Sequence, residues 1–450
     1  MIGEQVTGLL EAKKPSQIRE IFSKMQPADI SELLQENTVD ERSRAILFRL
    51  LPKDMAAQVF VELESDMQEE LIMVFTDNEL SQMLGELFVD DTVDIIEEMP
   101  ASVVRRIVKN CPQSMRKDIN DILAFDKNSA GSIMTPEYVA LKPEMTVKEA
   151  FKHIRSAGLD SETVYTCYVK DAQRHLLGVV TVKELLLADE KEIVSNVMNT
   201  NVIYVETVTD KGEAAKILEK YDFLAVPVTD KEKRLVGIIT VDDAIDVFVE
   251  EATEDISKMA AVVPIEQSYF KTGVFRHAWS RILWLIVLMV SATFTGFIIS
   301  GYEETFQAVP LLIACLPMLM GTGGNCGSQA SAMVIRGLAV DEMRPRDVMK
   351  VLWKELRIAL IVSVVLILIN TVRLFLLYGF EHEIILLAIT NGMALLFTIC
   401  LAQSLGCLLP LGAKAIKLDP AIMASPLITT IVDALSVTVF FACAVWVFRM

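Results

Sequence analysis

The stretch PAIMASPLITTIVDALSVTVFFACAVWVF, residues 420–448, decides the architecture of this chain because it is apolar and long enough to cross a bilayer. Asp433 is its only charged residue. An ionisable group inside a membrane span is costly, and such groups usually face a bundle interior or a water-filled path. The sequence therefore predicts that Asp433 lies on a path for cations. The alternative is a packing acid that is bonded to a neighbouring hydroxyl or amide.

Four more apolar stretches precede this one, at residues 279–300, 309–335, 356–378 and 384–411. Lys and Arg are concentrated in the loops after the second and fourth stretches, whereas GYEETFQ (301–307) and GFEHE (379–383) contain neither. Cytoplasmic loops carry the excess of Lys and Arg. The pattern predicts an all-α transmembrane bundle of five helices over 275–450, with the N-terminal part inside the cell and the C-terminus outside.

The second span contains PMLMGTGGNCGSQ, residues 317–329, with four glycines in seven positions. Glycine weakens a helix, and irregular backbone at membrane depth is tolerated only where it is buried in protein or lines water. We therefore predict a loosened segment that offers a main-chain carbonyl near Gly324 and the side chain of Asn325 to an ion. The alternative is close packing of helices through small residues.

Five helices make a thin wall for a pore. A symmetric homodimer with the path on its two-fold axis would thicken that wall and bring two copies of Asp433 together. A homodimer is therefore the expected assembly, with membrane lipid around it.

Charge divides the chain into two parts. Residues 271–450 hold 13 Lys and Arg against 10 Asp and Glu, so the remaining 29 and 50 give residues 1–270 a net charge of −21. Such acidity excludes nucleic acid as a partner, since phosphate binding needs clustered basic residues, and it suits a surface that collects cations. The cysteines show no zinc or disulfide pattern, and no secretory signal opens the sequence, so we expect this part in a reducing cytosol.

Residues 130–250 contain an internal repeat, with copies at about 130–190 and 194–250. Each copy alternates β-rich runs with amphipathic helices, which indicates an α+β fold. The pattern resembles a tandem pair of CBS domains. In the second copy, GIITVDD (237–243) matches the ribose-binding position of that family, which implies that Thr240 and Asp243 contact an adenine nucleotide. The first copy has Lys183 and Glu184 in place of the acid pair, and a pair that only dimerises is the alternative.

Residues 1–125 show short amphipathic segments punctuated by proline, which predicts an all-α helical superhelix. Asp90 and Asp94 would lie one helical turn apart on one face, where a divalent cation would relieve their repulsion. A second acidic run, 242–255, leads from the repeat to the membrane. The alternative for both runs is a solvated, charged helix face.

Taken in order, these segments resemble the MgtE family of magnesium channels. The most specific pieces are PMLMGTGGNCGSQ, LDPA (418–421) and TTIVDAL (429–435). The resemblance implies that Asp433 holds hydrated Mg²⁺ in a pore, and that a connecting plug helix covers 247–260 within a linker of 247–270. It also implies that cytosolic Mg²⁺ closes the pore by binding acids in the matching regions, which are Asp90, Asp94, Asp246, Glu250, Glu251, Glu254 and Asp419.

The resulting prediction is a Mg²⁺ uptake channel in the plasma (inner) membrane of a bacterium, with Mg²⁺ as its ligand and ATP as a candidate cofactor. Two other functions remain open, a coupled divalent-cation transporter and a membrane sensor that reads nucleotide through its CBS pair. No P-loop and no His-paired nucleophile appears in the sequence, so we do not expect an enzyme.

Overall fold

The computed structural model describes residues 2–36, 40–159, 161–265, 269, 272–423 and 425–449. The chain divides into two compact units, Met1–Val249 and Glu250–Met450. The first holds a helical region and an α+β region, and the second holds the long apolar helices. The predicted fold class is therefore confirmed.

In its described residues, the first unit begins with ten short helices. Proline occupies the first helical position or the N-cap of several of them, as at Pro27, Pro52 and Pro100. Proline is tolerated there because the first N–H groups of a helix have no intrahelical partner. The helices are α1 (Ile2–Glu11), α2 (Pro15–Phe22), α3 (Pro27–Gln35), α4 (Glu41–Phe48), α5 (Lys53–Val61), α6 (Ser65–Val74), α7 (Asp77–Leu84), α8 (Val89–Glu98), α9 (Ala101–Asn110) and α10 (Gln113–Ile122).

One side of each of these helices is apolar, and those sides close over a common core. The rings of Phe48, Phe60 and Phe75 meet there with centroids 5.5–6.5 Å apart. The same core continues into the second half of the α+β region through residues such as Val226 and Ile239. Because these side chains share one buried cluster, α8 is held firmly beside the α+β region.

The α+β region consists of two three-stranded sheets of identical topology. In each sheet the first strand pairs parallel to the second, and the second pairs antiparallel to the third. The strands are β1 (Tyr138–Leu141), β2 (Thr163–Lys170), β3 (Leu176–Thr181), β4 (Val205–Glu206), β5 (Ala225–Thr229) and β6 (Leu235–Thr240). The helices between them are α11 (Val147–Ala157), α12 (Val182–Leu187), α13 (Val194–Val197) and α14 (Lys211–Tyr221). This duplication accounts for the internal repeat.

Helix α15 (Val241–Met259) follows β6 directly. It begins six residues before the predicted plug segment because Asp243 accepts a hydrogen bond from the backbone N–H of Thr240, which satisfies a free donor at the helix N-terminus. The helix then continues without interruption past Val249, so its last ten residues, Glu250 to Met259, belong to the second unit.

Among the residues that the structure describes, five helices of the second unit are long and apolar enough to cross a membrane. A short helix, α17 (Glu303–Ala308), separates the first two, and the last is preceded by a 3₁₀ turn at Pro420–Met423. The third extends further toward its N-terminus than predicted, because a capped turn at Pro345–Asp347 starts it. The long helices are α16 (Val274–Ser300), α18 (Leu311–Ala339), α19 (Val348–Tyr378), α20 (His382–Ala415) and α21 (Ser425–Phe448).

The glycines of the second span do not loosen it. Helix α18 runs unbroken through the glycine segment, so the predicted irregular backbone is wrong. A side chain at Gly323 would reach within 2.7–3.0 Å of Thr398, Ser436 and Val432. The glycines instead allow α18 to approach α20 and α21 closely, as small residues do in membrane helices.

The closest such approach is at Gly406 of α20, and we expect Gly406→Ala to lower the free energy of unfolding by about 1–3 kcal/mol. The added Cβ would collide with the backbone carbonyl oxygen of Gly327 and lie 3.0 Å from the Cβ of Ala330. Thermal unfolding of the solubilised chain, followed by circular dichroism, measures the change. Gly412→Ala in the same helix is the matched control, since a Cβ there meets nothing within 4 Å. Equal stability of the two variants would contradict the packing assignment.

Candidate functional site

Asp433 lies near the middle of α21, and its side chain is half-buried. Its position along the bundle follows from its neighbours. Val432 packs against Gly323, and Thr429, one turn earlier, packs against Gly324. Asp433 is therefore at the depth of the glycine segment of α18, roughly midway along both helices.

Helix α18 presents a polar stripe that a single chain leaves exposed. Gly321, Asn325 and Gln329 follow one another at four-residue intervals, and all three are exposed. Polar groups cannot face hydrocarbon without cost, so this stripe requires either another protein surface or water. Asn325 thus lies on an accessible face, and its role as an ion ligand stays a prediction.

Gly324 lies on a different side of α18. It is buried, and a Cβ there would lie 3.0 Å from the side chain of Thr429. In an unbroken helix each carbonyl accepts a hydrogen bond from the N–H four residues on. A freed carbonyl at Gly324 was the physical reason for naming it as an ion ligand, and the structure removes that reason.

The first unit contains a cluster of carboxylates, which we call the acid cluster. Asp90, Asp91 and Asp94 project from the start of α8, and Asp243 at the start of α15 is close enough to raise the pKa of all three. Glu137 accepts a hydrogen bond from the N–H of Val89 at 3.2 Å, which fixes α8 beside β1. The full membership is Asp90, Asp91, Asp94, Glu137, Glu162, Asp242 and Asp243.

Burial and mutual repulsion perturb these groups strongly. Desolvation, with Asp243 next in importance, raises the pKa of Asp90 well above its usual range and that of Asp91 to about 6. Desolvation and Asp91 raise the pKa of Glu162 to about 8. Asp94 keeps solvent contact, yet its pKa is also raised. Each of these carboxylates is therefore harder to deprotonate than a carboxylate that is exposed to solvent.

The members of the acid cluster lie beside one another with few compensating contacts. Within the described ranges, no Lys, Arg or His forms an ion pair with any of its members, and one buried oxygen of Glu162 has no hydrogen-bond partner. No three His, Cys, Asp or Glu side chains in those ranges converge closely enough to ligate one bare ion. Carboxylates spread in this way suit Mg²⁺, which keeps several of its waters.

The predicted regulatory acids fall into two groups. Asp90 and Asp94 belong to the acid cluster, and Asp246 lies one turn after its members Asp242 and Asp243. Glu254 and Asp419 meet instead in the second unit, around the ammonium of Lys258. Glu250 and Glu251 lie between these groups on α15.

Sequence reasoning missed Asp91, Glu137 and Glu162 as members of the acid cluster. Asp91 follows Asp90 directly, but the two glutamates belong to the first CBS copy and reach α8 only through tertiary packing. No spacing rule connects them to α8. A glutamate placed two residues after Thr135, at the start of a β-rich run, is the one signal that could have indicated Glu137.

The candidate nucleotide residues have a structural role. The hydroxyl of Thr240 donates to the Asp243 carboxylate, which also accepts the N–H of Thr240 at 3.1 Å. In the first copy, the hydroxyl and the N–H of Thr181 donate to the Glu184 carboxylate at 2.8 and 2.7 Å, respectively. Both threonine-acid pairs therefore cap helices, and a nucleotide at Thr240 would have to share Asp243 with that cap.

Three family models match separate parts of the chain. Residues 316–443 match a family of divalent cation transporters, residues 25–128 match the MgtE intracellular N domain, and 130–191 and 194–250 each match a CBS domain. A solved cytosolic domain of the Mg²⁺ channel MgtE in complex with ATP is 34% identical. It superposes with a TM-score of 0.51 over 54% of this chain and 99% of that one.

Full-length relatives extend the likeness into the membrane unit. The magnesium transporter MgtE of Thermus thermophilus is 34% identical over 431 residues, which is 95% of this chain and 94% of the relative. That of Bacillus subtilis is 31% identical over 436 residues, covering 97% and 95%. Sequence likeness on this scale, together with the three matching family models, shows that the chain belongs to the MgtE family of magnesium transporters.

Proposed function

We propose that this chain is a Mg²⁺-selective channel that conducts magnesium into the cell and closes when cytosolic Mg²⁺ binds the acid cluster. The observation that carries the proposal is Asp433, a single carboxylate at mid-depth in a membrane helix, level with a polar stripe that one chain leaves exposed. Mg²⁺ gives up its waters reluctantly, so one carboxylate per chain with nearby amides suits a hydrated ion better than a cage of acids.

The exposed stripe also supports a homodimer. In one chain, Asn325 and Gln329 would face lipid at the cost that unsatisfied polar groups carry there. A second copy related by a two-fold axis would cover that face and enclose water between the two stripes. The basic loops after α18 and α20 support a first unit that lies in the cytoplasm and a chain that resides in the plasma membrane of a bacterium.

Gating follows from differential affinity. A ligand shifts a conformational equilibrium only if it binds one state more tightly than the other. The acid cluster joins α8, the first CBS copy and the start of α15, so a divalent ion bound there stabilises one arrangement of these three elements. Without the ion, desolvation and then mutual repulsion raise the pKa values of Asp90, Asp91 and Glu162, and that repulsion favours their separation.

ATP is a second ligand that we propose for the first unit, with Thr240 and Asp243 as its ribose contacts. The solved ATP complex of a related cytosolic domain supports it. Since Asp243 also belongs to the acid cluster, nucleotide and Mg²⁺ would act on the same carboxylate.

Flux into liposomes tests the channel proposal. We expect the purified full-length chain to admit Mg²⁺ when a K⁺ diffusion potential, negative inside, is the only driving force. A divalent ion then gains about 4.6 kcal/mol per 100 mV, so no counter-ion gradient is needed. Entry of Mg²⁺ is followed with a trapped indicator dye, and protein-free liposomes are the control. Entry that requires a Na⁺ or H⁺ gradient would show a coupled transporter instead.

A further inference from the structure

Lys258 lies between two carboxylates at the end of α15. The Lys258 ammonium lies 2.8 Å from a carboxylate oxygen of Glu254 and 2.7 Å from Oδ2 of Asp419. All three residues belong to the second unit, but Asp419 is 161 positions away in sequence, in the loop before α21. The bridge therefore joins the last turn of α15 to the loop that leads into the helix of Asp433.

Two features distinguish this salt bridge from an ordinary ion pair at the protein surface. The Lys258 side chain is 24% exposed and that of Asp419 is 30% exposed, so water screens the pair only in part. The other oxygen of Asp419 accepts the N–H of Ala421 at 2.8 Å, which holds the carboxylate in place as the cap of the 3₁₀ turn before α21. The ammonium thus meets an acceptor that is already oriented.

The chemistry of the site differs from that of the acid cluster. Glu254 and Asp419 are oxygen ligands of the kind that Mg²⁺ prefers, and the sequence predicts both as Mg²⁺ ligands. In the structure, the position between them is taken by a cation that the chain itself supplies. A tethered ammonium compensates one of the two negative charges at any Mg²⁺ concentration.

We propose that Lys258 is a built-in cation that latches the end of α15 onto the loop before α21 without Mg²⁺. This inference rests on the proposed function, in which Mg²⁺ bound to the acid cluster closes the pore, and it adds that the end of α15 is docked on the loop before α21 in the closed state. Because the latch favours the docked state whether or not Mg²⁺ is present, it lowers the Mg²⁺ concentration that the acid cluster needs for closure. The acid cluster of the first unit then senses Mg²⁺, and Lys258 sets the Mg²⁺ concentration at which the pore closes.

Lys258→Met in the full-length chain tests the latch. We expect the internal Mg²⁺ concentration for half-maximal closure in liposome flux to rise about threefold, the effect of losing one partly screened ion pair. Conduction at low internal Mg²⁺ should be unchanged. Lys354→Met removes the same charge from an exposed site of the same unit and is the matched control.

A double-mutant cycle tests the pairing itself. Asp419→Asn keeps an acceptor for the Ala421 N–H while removing the charge, and it should raise the threshold about as much as Lys258→Met. The double variant should add little to either single change. Fully additive effects would overturn the assigned pair.

Hydrogen exchange separates a failed latch from a failed channel. In EDTA, amides of residues 250–259 in the full-length wild type should exchange about threefold more slowly than in Lys258→Met, whatever the flux results are. Equal exchange would overturn the latch even if Mg²⁺ closes the channel normally. Slower exchange in the wild type, in a protein that Mg²⁺ fails to close, would support the latch and refute the proposed gating.

Discussion

Replacing Asp433 with alanine is expected to reduce Mg²⁺ flux about a hundredfold or more while leaving the protein folded. A unit charge at about 4 Å is worth about 4 kcal/mol at the effective dielectric typical of proteins, and a divalent ion gains more. Nothing else in 420–448 carries a charge that could replace it. Flux of the full-length variant into liposomes under a K⁺ diffusion potential measures the loss, and size-exclusion chromatography checks the fold.

Two companion variants identify what the carboxylate contributes. Asp433→Asn preserves size and hydrogen bonding but not charge, so it should be nearly as inactive as the alanine variant. Glu383→Gln removes a carboxylate from the first turn of α20, well away from mid-depth, and should conduct normally. Wild-type flux in Asp433→Ala would show that this acid only packs, and normal flux in Asp433→Asn would assign its role to hydrogen bonding.

Neutralising the acid cluster is expected to open the channel rather than inactivate it. In Asp90→Asn with Asp94→Asn, the internal Mg²⁺ concentration for half-closure should rise about tenfold or more, within the usual range of coupling energies. Flux at low internal Mg²⁺ should remain, because Asp433 is untouched. Glu144→Gln with Glu219→Gln removes the same charge from exposed sites and should close normally. An unchanged threshold would exclude the α8 acids from Mg²⁺ sensing.

The acid cluster also determines a pH dependence of stability. A carboxyl whose folded pKa is raised binds more protons when folded, so the stability it contributes is lost as pH rises through that pKa. In EDTA, the free energy of unfolding of the first unit should therefore fall from about pH 4 to pH 8, where Asp91, Asp243 and Glu162 titrate. Urea unfolding followed by circular dichroism measures it. Saturating Mg²⁺, or the Asp90→Asn and Asp94→Asn pair, should flatten the fall.

Periodicity and composition were sufficient to predict the helical region, the repeated α+β region and five membrane helices, because each depends on local patterns. The glycine segment of α18 shows where such reasoning stops. Glycine can open a helix or let a neighbour approach, and only the surroundings of Gly323 and Gly327, among them Thr398, Ile428 and Val432, decide between the two.

The candidate site shows the same contrast between residues that local patterns predict and residues that only tertiary packing brings together. Asp433 and Asn325 could be selected from sequence because polar groups are rare in apolar spans. Glu137 and Glu162 could not, since they reach α8 through packing between separate regions of the first unit. The pairing of Lys258 could not be predicted for a related reason. The spacing of charges along a helix does not reveal a partner 161 residues away.

The cap at the start of α15 turns one backbone amide into a spectroscopic reporter. The N–H of Thr240 bonds directly to Asp243, and Asp243 faces Asp90 across the acid cluster. Any ion that draws electron density from that carboxylate weakens the bond to the amide and moves its nitrogen and proton resonances. The chain thus carries an intrinsic magnetic-resonance probe of cation occupancy that needs no label, and Thr181, capped by Glu184 in the first copy, is its internal reference.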